Sequence, residues 1–264
     1  MFFAEEAPAD SMSIELVQSG DDSDSINEAA NFLIDAFWLD ARHVIKTQQA
    51  KGDPSQVTSA LTDRDDARRR LLDRQASDLF DNYGERVGKR LLDSAVIKAI
   101  DTKTNQIVGL LCISTLLFDT KGETLLSIQD SEELLKAALA TLGPKDRRKY
   151  KGASPDDLAA NLLGNDFQVV CCISNLAVLP KVRRSGIAAR LCDEAERIAS
   201  VEWGYDVMAL KVEADNTAAR NLYELKLGYA LRCNEIGALA MRVDLEAGKF
   251  VETEADTLIL MKEI

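Results

Sequence analysis

One stretch, Phe167–Val178, limits the fold of this chain more than any other. It reads Phe-Gln-Val-Val-Cys-Cys-Ile-Ser-Asn-Leu-Ala-Val, an apolar run of strand length, and Pro180 ends it. So apolar a strand is a buried one. An amphipathic helix is expected next over Ser185–Trp203. Ile187, Ala188, Leu191, Ala195, Ile198 and Ala199 lie on one side of it, and Arg190, Asp193, Glu194 and Arg197 on the other. Val207–Val212 reads as a second short buried strand, Asn216–Leu227 as a helix, Tyr229–Arg232 as a strand and Thr257–Met261 as a last apolar run. Strands that alternate with helices imply a mixed α/β sheet.

The first half supplies the rest of that sheet. Ser13–Val17 alternates like a short strand, and Gly20–Ser25 offers turn residues and a helix N-cap. Ile26, Ala29, Ala30, Leu33, Ala36 and Phe37 give Ile26–Trp38 a helical spacing. Gly52, Asp53 and Pro54 mark a loop, and a long charged helix is expected from about Pro54 to Tyr83. Ser94–Ile100 and Ile107–Phe118 flank Asp101–Gln106 as an antiparallel hairpin. Residues 119–165 interrupt this pattern, with helical stretches near Ser131–Leu142 and Pro155–Leu163. They are too short and too polar to hold a good core of their own, so they read as an insertion. The organisation expected is a flexible acidic tail at 1–11 and one domain at 12–264 that carries the insertion at about 119–165.

Composition removes several kinds of chemistry. The formal net charge of -12 opposes a general binder of nucleic acid phosphates, and favours basic partners if it favours any. No apolar stretch reaches membrane-spanning length, so no membrane partner is expected. The five cysteines, Cys112, Cys171, Cys172, Cys192 and Cys233, include no Cys-x-x-Cys pair. They read as small buried hydrophobes in a reducing intracellular compartment, the cytoplasm or, after loss of a transit peptide, a plastid. The start, Met1–Asp10, has the pattern of neither a secretory signal nor a basic transit peptide. The single histidine, His43, leaves little room for Ser-His or Cys-His mechanisms or for a histidine-rich metal site. No nucleophile motif lies near it, and a structural or surface role is expected for it.

The chemistry lies in Leu179-Pro-Lys-Val-Arg183-Arg184-Ser185-Gly186-Ile187-Ala188-Ala189-Arg190. A strand ends, a short basic loop follows, and a helix begins at a glycine. The N-terminus of a helix has unpaired N–H groups and partial positive charge, Gly186 lets a ligand approach the backbone, and Ala188 keeps the next turn small. Arg183 and Arg184 add cationic charge. These features describe an anion cradle of pyrophosphate size. Neither G-x-x-x-x-G-K-[ST] nor G-x-G-x-x-G is present. Taken alone, Arg183-x-x-Gly186-x-Ala188 also fits a loop that merely starts a helix.

Its neighbours decide. Upstream is Ser174-Asn-Leu-Ala-Val178 and then Pro180; downstream is Asn216-Thr-Ala-Ala219-Arg-Asn-Leu222-Tyr223-Glu-Leu-Lys-Leu-Gly228-Tyr229. Together they resemble the signatures of the GNAT superfamily of N-acetyltransferases, with one extra residue between Tyr223 and Gly228. The resemblance is clear over 167–232 and holds only in outline over 13–118. It implies an acyl-CoA N-acyltransferase fold, a mixed central sheet flanked by helices, with acetyl-CoA as cosubstrate. Backbone N–H groups from Arg184 through Ser185, Gly186, Ile187 and Ala188 to Ala189 would hold the pyrophosphate. Leu176, Ala177 and Val178 would pair with the pantetheine arm, Asn216 and Asn221 would face the cofactor, and Tyr223 would protonate the departing sulfur. The alternative for Tyr223, set behind catalysis, is a core tyrosine on an apolar helix face. The pairing of the cysteine-rich strand with the cradle is loosely similar to plant and algal plastid members.

The general base is not evident. Phe167–Val178 contains no carboxylate, Ser174 and Asn175 are its polar side chains nearest the cradle, and Asp101, Asp119 and Glu123 qualify by loop position only. The expected activity is direct acetyl transfer to a primary amine, with a protein lysine or N-terminal amine, in a basic protein or peptide, favoured as acceptor. The alternatives are a silent acetyl-CoA sensor or scaffold, and an enzyme for small amines such as polyamines. Acceptor choice would rest with the loops at 39–56 and 119–165.

Overall fold

The protein's structure is a computed structural model that describes residues 12–17, 23–40, 42–45, 57–84 and 91–264. The tail expected at 1–11 and the loop at 46–56 lie outside the described residues. In chain order the elements are β1 (Met12–Val17), α1 (Ser23–Leu33) continued by a π turn (Ile34–Trp38), α2 (Val57–Tyr83), β2 (Ser94–Asp101), β3 (Gln106–Asp119) and β4 (Thr124–Leu125). Then come α3 (Ile128–Thr141), α4 (Pro144–Arg147), α5 (Pro155–Leu162), β5 (Phe167–Val178), and α6 (Ile187–Arg197) with a π segment (Ile198–Trp203). Last are β6 (Val207–Glu213), α7 (Thr217–Arg220) with a π turn (Asn221–Lys226), β7 (Ala230–Asp244) and β8 (Lys249–Glu263).

The strands form one sheet in the order β1-β2-β3-β5-β6-β8-β7, with β4 paired to β3. Among the named strands of the described residues only β5 and β6 run parallel, joined by the α6 crossover; the other neighbours are antiparallel. As its sequence requires, β5 is covered on both faces. Val169, Cys171 and Ile173 pack with Leu191, Cys192 and Ala195 of α6 in one cluster. Val170 and Cys172 face the other way, with Phe118, Ala209 and Ile259. That second face continues into Cys112 and Ala177, which meet Ala29, Ala30 and Leu33 of α1 and Leu79 and Tyr83 of α2. Each fully buried leucine of this interior, such as Leu111, Leu117 or Leu191, contributes about 1.5–3 kcal/mol of transfer free energy.

One glycine sets how closely α6 approaches. A Cβ at Gly109 of β3 would lie 2.8 Å from Ile187 Cγ2 and 3.0 Å from Leu191 Cδ1. The first turn of α6 therefore rests on bare backbone, and this contact fixes where the helix N-terminus points. Segment 119–165 packs on the same face. Leu135 of α3 and Leu158 and Ala159 of α5 enter the α6-side cluster, and the buried Ser131 hydroxyl accepts the Leu117 N–H at 3.0 Å. Ser127 and Ser154 cap α3 and α5 by accepting the N–H groups of Asp130 and Asp157.

The C-terminal hairpin departs most from expectation. Tyr229–Arg232 and Thr257–Met261 are only the bases of two long strands, paired from Ala230↔Met261 out to Asp244↔Lys249. Beyond Glu213↔Thr257, where β6 ends, the hairpin continues as a free arm. Its tip reaches the helices of the N-terminal half: Val243 and Phe250 pack with Ile34, Leu71 and Trp38. Val243 also donates its N–H to the His43 carbonyl at 2.7 Å.

Candidate active site

The centre of the sheet is forked. β5 and β6 pair only at Cys171↔Met208, Cys172↔Ala209 and Ile173↔Leu210. Beyond Ile173 they diverge, although both remain strands to Val178 and Glu213. A bulge opens the fork. The β3–β5 register passes from Cys112↔Ser174 to Leu110↔Ala177, so Asn175 and Leu176 oppose the single residue Leu111. Asn175 takes φ 53°, left-handed backbone that asparagine tolerates better than most side chains. Bulges bend the strand that carries them. Here Ala177 and Val178 stay paired to β3 on one edge, and Leu176, Ala177 and Val178 have no strand partner on the β6 edge. An extended amide-bearing chain fits such a free edge.

The loop from Pro180 leads to the N-terminus of α6. Arg184 at φ 69° and Gly186 at φ 86° turn the backbone, and no side chain caps the helix. The Ser185 hydroxyl donates instead to the Val182 carbonyl at 2.7 Å. The N–H groups of the first turn are thus open to an anion. A Cβ at Gly186 would meet no protein atom within 4 Å, so the space before the glycine is clear. Ile187 and Ala189 are buried, Ala188 is half-buried, and Arg184 is exposed.

The Arg183 side chain is used elsewhere. Its Nε donates to the Val178 carbonyl at 3.0 Å and its Nη2 to the Ala36 carbonyl at 3.3 Å. Both Nη atoms lie 3.1 Å from Asp40 Oδ2. Burial pushes the Asp40 carboxyl up, but the Arg42 N–H and the Arg183 guanidinium outweigh it and hold Asp40 below its ordinary range.

Asn216 caps α7, accepting the Ala219 N–H on its side chain at 3.2 Å, and Asn221 is exposed. The helix expected over Asn216–Leu227 is a short α segment that passes into a π turn at Asn221–Lys226. A π turn holds one residue more than α geometry, which accounts for the extra residue between Tyr223 and Gly228. Tyr223 is buried, edge-on to Tyr229 at 5.9 Å between ring centroids. Burial, with the Cys192 and Cys172 thiols nearby, pushes its hydroxyl well above the ordinary phenol range. It therefore stays protonated at neutral pH, in the same apolar cluster as Ile173 and Leu210 of the last rung that joins β5 to β6.

A polar strap spans the fork on the α1–α2 face. Arg183 ties Ala36 and Asp40 to the end of β5. Arg42 reaches Asp215 at 2.9 Å and Glu213 at 3.8 Å, at the end of β6. Arg242 from the β7 arm closes the ring with Glu213 at 2.8 Å. Deeper in, the Tyr83 hydroxyl lies 3.1 Å from Ser174 Oγ. Glu213, Arg242, Arg42 and Tyr83 were not singled out from the sequence. Glu213 stands three residues before Asn216 and was within reach; nothing in the sequence marks Tyr83. Two of the three loop carboxylates considered as bases have other tasks. Asp101 Oδ1 accepts the Lys103 and Thr104 N–H groups, and Asp119 Oδ1 those of Lys121 and Gly122. Asp119 pairs with Phe167 at the far end of β5 from the fork.

Residues 152–229 match the model of the acetyltransferase (GNAT) family. Over 78 residues, 28% of this chain and 27% of the relative, the chain is 36% identical to GCN5-related N-acetyltransferase 7, chloroplastic, of Arabidopsis thaliana. The match thus spans 27% of that relative's length. Among solved structures, Arabidopsis thaliana NAA60 with a bisubstrate analogue is similar at 13% identity and a TM-score of 0.47, over 96% of this chain and 99% of that one. The same protein with acetyl-CoA gives 12% identity and 0.45, over 96% and 98%. The part of the chain that is similar to the GNAT acetyltransferase family, residues 152–229, holds β5, the cradle and the Tyr223 turn.

Proposed function

We propose that this chain moves an acetyl group from acetyl-CoA to a primary amine by direct attack. The observation that carries the reading is the fork: a strand edge without a partner runs from the last β5–β6 rung to an uncapped helix N-terminus. The pyrophosphate rests on N–H groups from Arg184 to Ala189. The pantetheine arm pairs with Leu176–Val178 in place of β6, with Asn216 and Asn221 beside it. The thioester then lies near Tyr223.

The chemistry follows from that placement. The amine nitrogen attacks the thioester carbon, the carbonyl electron pair moves to oxygen, and a backbone N–H of Leu176–Val178 stabilises the oxyanion. When the oxyanion collapses, the C–S bond breaks and Tyr223 gives its proton to the sulfur. The acceptor arrives from the α1–α2 face, where Glu213 and Asp215 stand at the fork. With a formal net charge of -12, this favours a lysine or N-terminal amine within a basic peptide or protein. The five cysteines are free and buried, in keeping with a reducing compartment such as the cytoplasm or a plastid.

Calorimetry with acetyl-CoA tests the cradle, using the unaltered protein, Gly186→Asp and Gly186→Asn. Both variants keep a residue type tolerant of left-handed backbone, and the Cβ they add meets no protein atom within 4 Å. A carboxylate about 5 Å from the pyrophosphate opposes binding by about 3 kcal/mol per charge pair at an effective dielectric of 20. Gly186→Asp therefore loses acetyl-CoA far more than Gly186→Asn does. Equal affinity in both variants, or no binding by the unaltered protein, sinks the reading.

A further inference from the structure

We infer that Ser174 orients the attacking amine: held by the Tyr83 hydroxyl, its Oγ accepts an N–H of the neutral acceptor where the fork opens. This rests on the acetyl-transfer reading and says how the amine is aimed at the thioester.

The position follows from the last rung. Ile173 pairs with Leu210, and Ser174 is the next residue on β5. Cys171, Cys172 and Ile173 are buried and Ser174 is half-buried, so exposure returns where the prongs part. The Ser174 side chain faces α1 and α2. It stands opposite Cys112 of β3, which packs in one cluster with Ala29, Leu79 and Tyr83, and its Oγ lies 3.1 Å from the Tyr83 hydroxyl. Tyr223 belongs to the cluster on the other face, with Ile173 and Leu210. A thioester at this rung thus has Tyr223 on one face of the sheet and Ser174 on the other.

Tyr83 is a fixed donor. It is the last residue of α2, and the Ser94 hydroxyl of β2 donates to the carbonyl of its neighbour Asn82 at 3.0 Å. The Tyr83 ring is buried. Burial, with the Cys112 thiol nearby, pushes its hydroxyl well above the ordinary phenol range, so it keeps its hydrogen. A buried hydroxyl needs an acceptor, and Ser174 Oγ is a better one than the Cys112 sulfur. Tyr83 therefore donates to Oγ, which fixes the serine rotamer and leaves Oγ a second lone pair.

That lone pair suits an amine. A neutral primary amine has two N–H donors and one lone pair, so giving one N–H to Oγ leaves its lone pair free to attack. As the N–C bond forms, the nitrogen becomes cationic and the N–H···O bond strengthens, which stabilises the transition state more than the bound amine. Ser174 takes no proton. The nitrogen releases its proton to solvent, while Tyr223, having protonated the thiolate, regains one from solvent. The charged pair on this face of the other prong is no base either. Ala209 packs with Cys172, so Lys211, two residues on, points to the same face as Ser174; it pairs with Glu235 at 2.8 Å. Burial pushes the Glu235 carboxyl up, but Lys211 and the Thr124 hydroxyl outweigh it and hold Glu235 below its ordinary range.

A double-mutant cycle tests this. Acetyl transfer to a lysine-containing basic peptide is followed at saturating acetyl-CoA in the unaltered protein, Ser174→Ala, Tyr83→Phe and the double variant. Ser174→Ala is expected to lower kcat by roughly 10–100-fold, the worth of a hydrogen bond to a group that gains charge, while calorimetric affinity for acetyl-CoA is kept. Tyr83→Phe lowers kcat less, and in the Ser174→Ala background it lowers kcat no further, because it acts through Ser174. The pH at which kcat/KM levels off follows the acceptor's own amine in every variant. Unchanged kcat in Ser174→Ala overturns the inference and spares acetyl transfer. So does a Tyr83→Phe loss that adds in full to the Ser174→Ala loss, or a pH limb that Ser174→Ala removes. Should Ser174→Ala misfold, Tyr83→Phe decides: unchanged kcat with acetyl-CoA affinity kept overturns the inference. Unaltered protein that transfers acetyl to neither the peptide nor a panel of small amines overturns the acetyl-transfer reading as well, a different pattern.

Discussion

Replacing Arg183 with alanine separates a strut from a phosphate ligand. The guanidinium makes two charge-assisted bonds to neutral carbonyls, Val178 at 3.0 Å and Ala36 at 3.3 Å, and pairs with Asp40 at 3.1 Å. The pair is partly solvated, at 44% and 33% side-chain exposure, so each bond is discounted to about 1 kcal/mol and the ion pair to about 0.5–1 kcal/mol. The loss expected is about 2–3 kcal/mol. For a chain of this size that lowers Tm by about 5–10 °C. Thermal melts followed by circular dichroism read the stability, and calorimetry at two salt concentrations reads acetyl-CoA affinity. A strut loses stability and leaves the salt dependence of binding as it was. A phosphate ligand weakens binding and flattens that dependence. An unshifted melt with a tenfold weaker Kd refutes the structural assignment.

Two further outcomes follow from the same geometry. Gly109→Ala puts a methyl 2.8 Å from Ile187 and 3.0 Å from Leu191, so denaturant unfolding falls by about 1–3 kcal/mol, and acetyl-CoA binding weakens as the first turn of α6 shifts. Tyr223→Phe removes only the hydroxyl, so turnover of a basic peptide drops by about 10²–10⁴-fold while calorimetric affinity for acetyl-CoA holds; unchanged turnover assigns Tyr223 to the core.

What could be read from sequence alone divides along a physical line. Phe167–Val178 and the start of α6 were legible because apolar periodicity, Pro180 and Gly186 are local signals. The bulge at Asn175 was not, since it exists only in the register against Leu111 of β3. Most of the C-terminal arm was missed for another reason. Leu239 and Met241 stay exposed beside Glu254 and Glu252 on the partner strand, so no buried face imposes a clean alternation. His43, expected to be structural or at the surface, is half-buried against Phe37 and Trp38, a contact that its own local sequence does not mark. The use of the Arg183 side chain was hidden too: its partners Ala36 and Asp40 lie far away in the chain.

The π turn at Asn221–Lys226 also bears on how such a chain can lengthen. One surplus residue within a helix would ordinarily rotate everything after it by about 100°. Here the surplus is confined to a single wide turn, in which Leu225 is 81% exposed. Tyr223 still meets Tyr229, and Gly228 still ends the helix at φ 79°. A one-codon gain in this stretch is thus nearly silent in three dimensions, and a lineage can carry it without re-evolving the residues on either side.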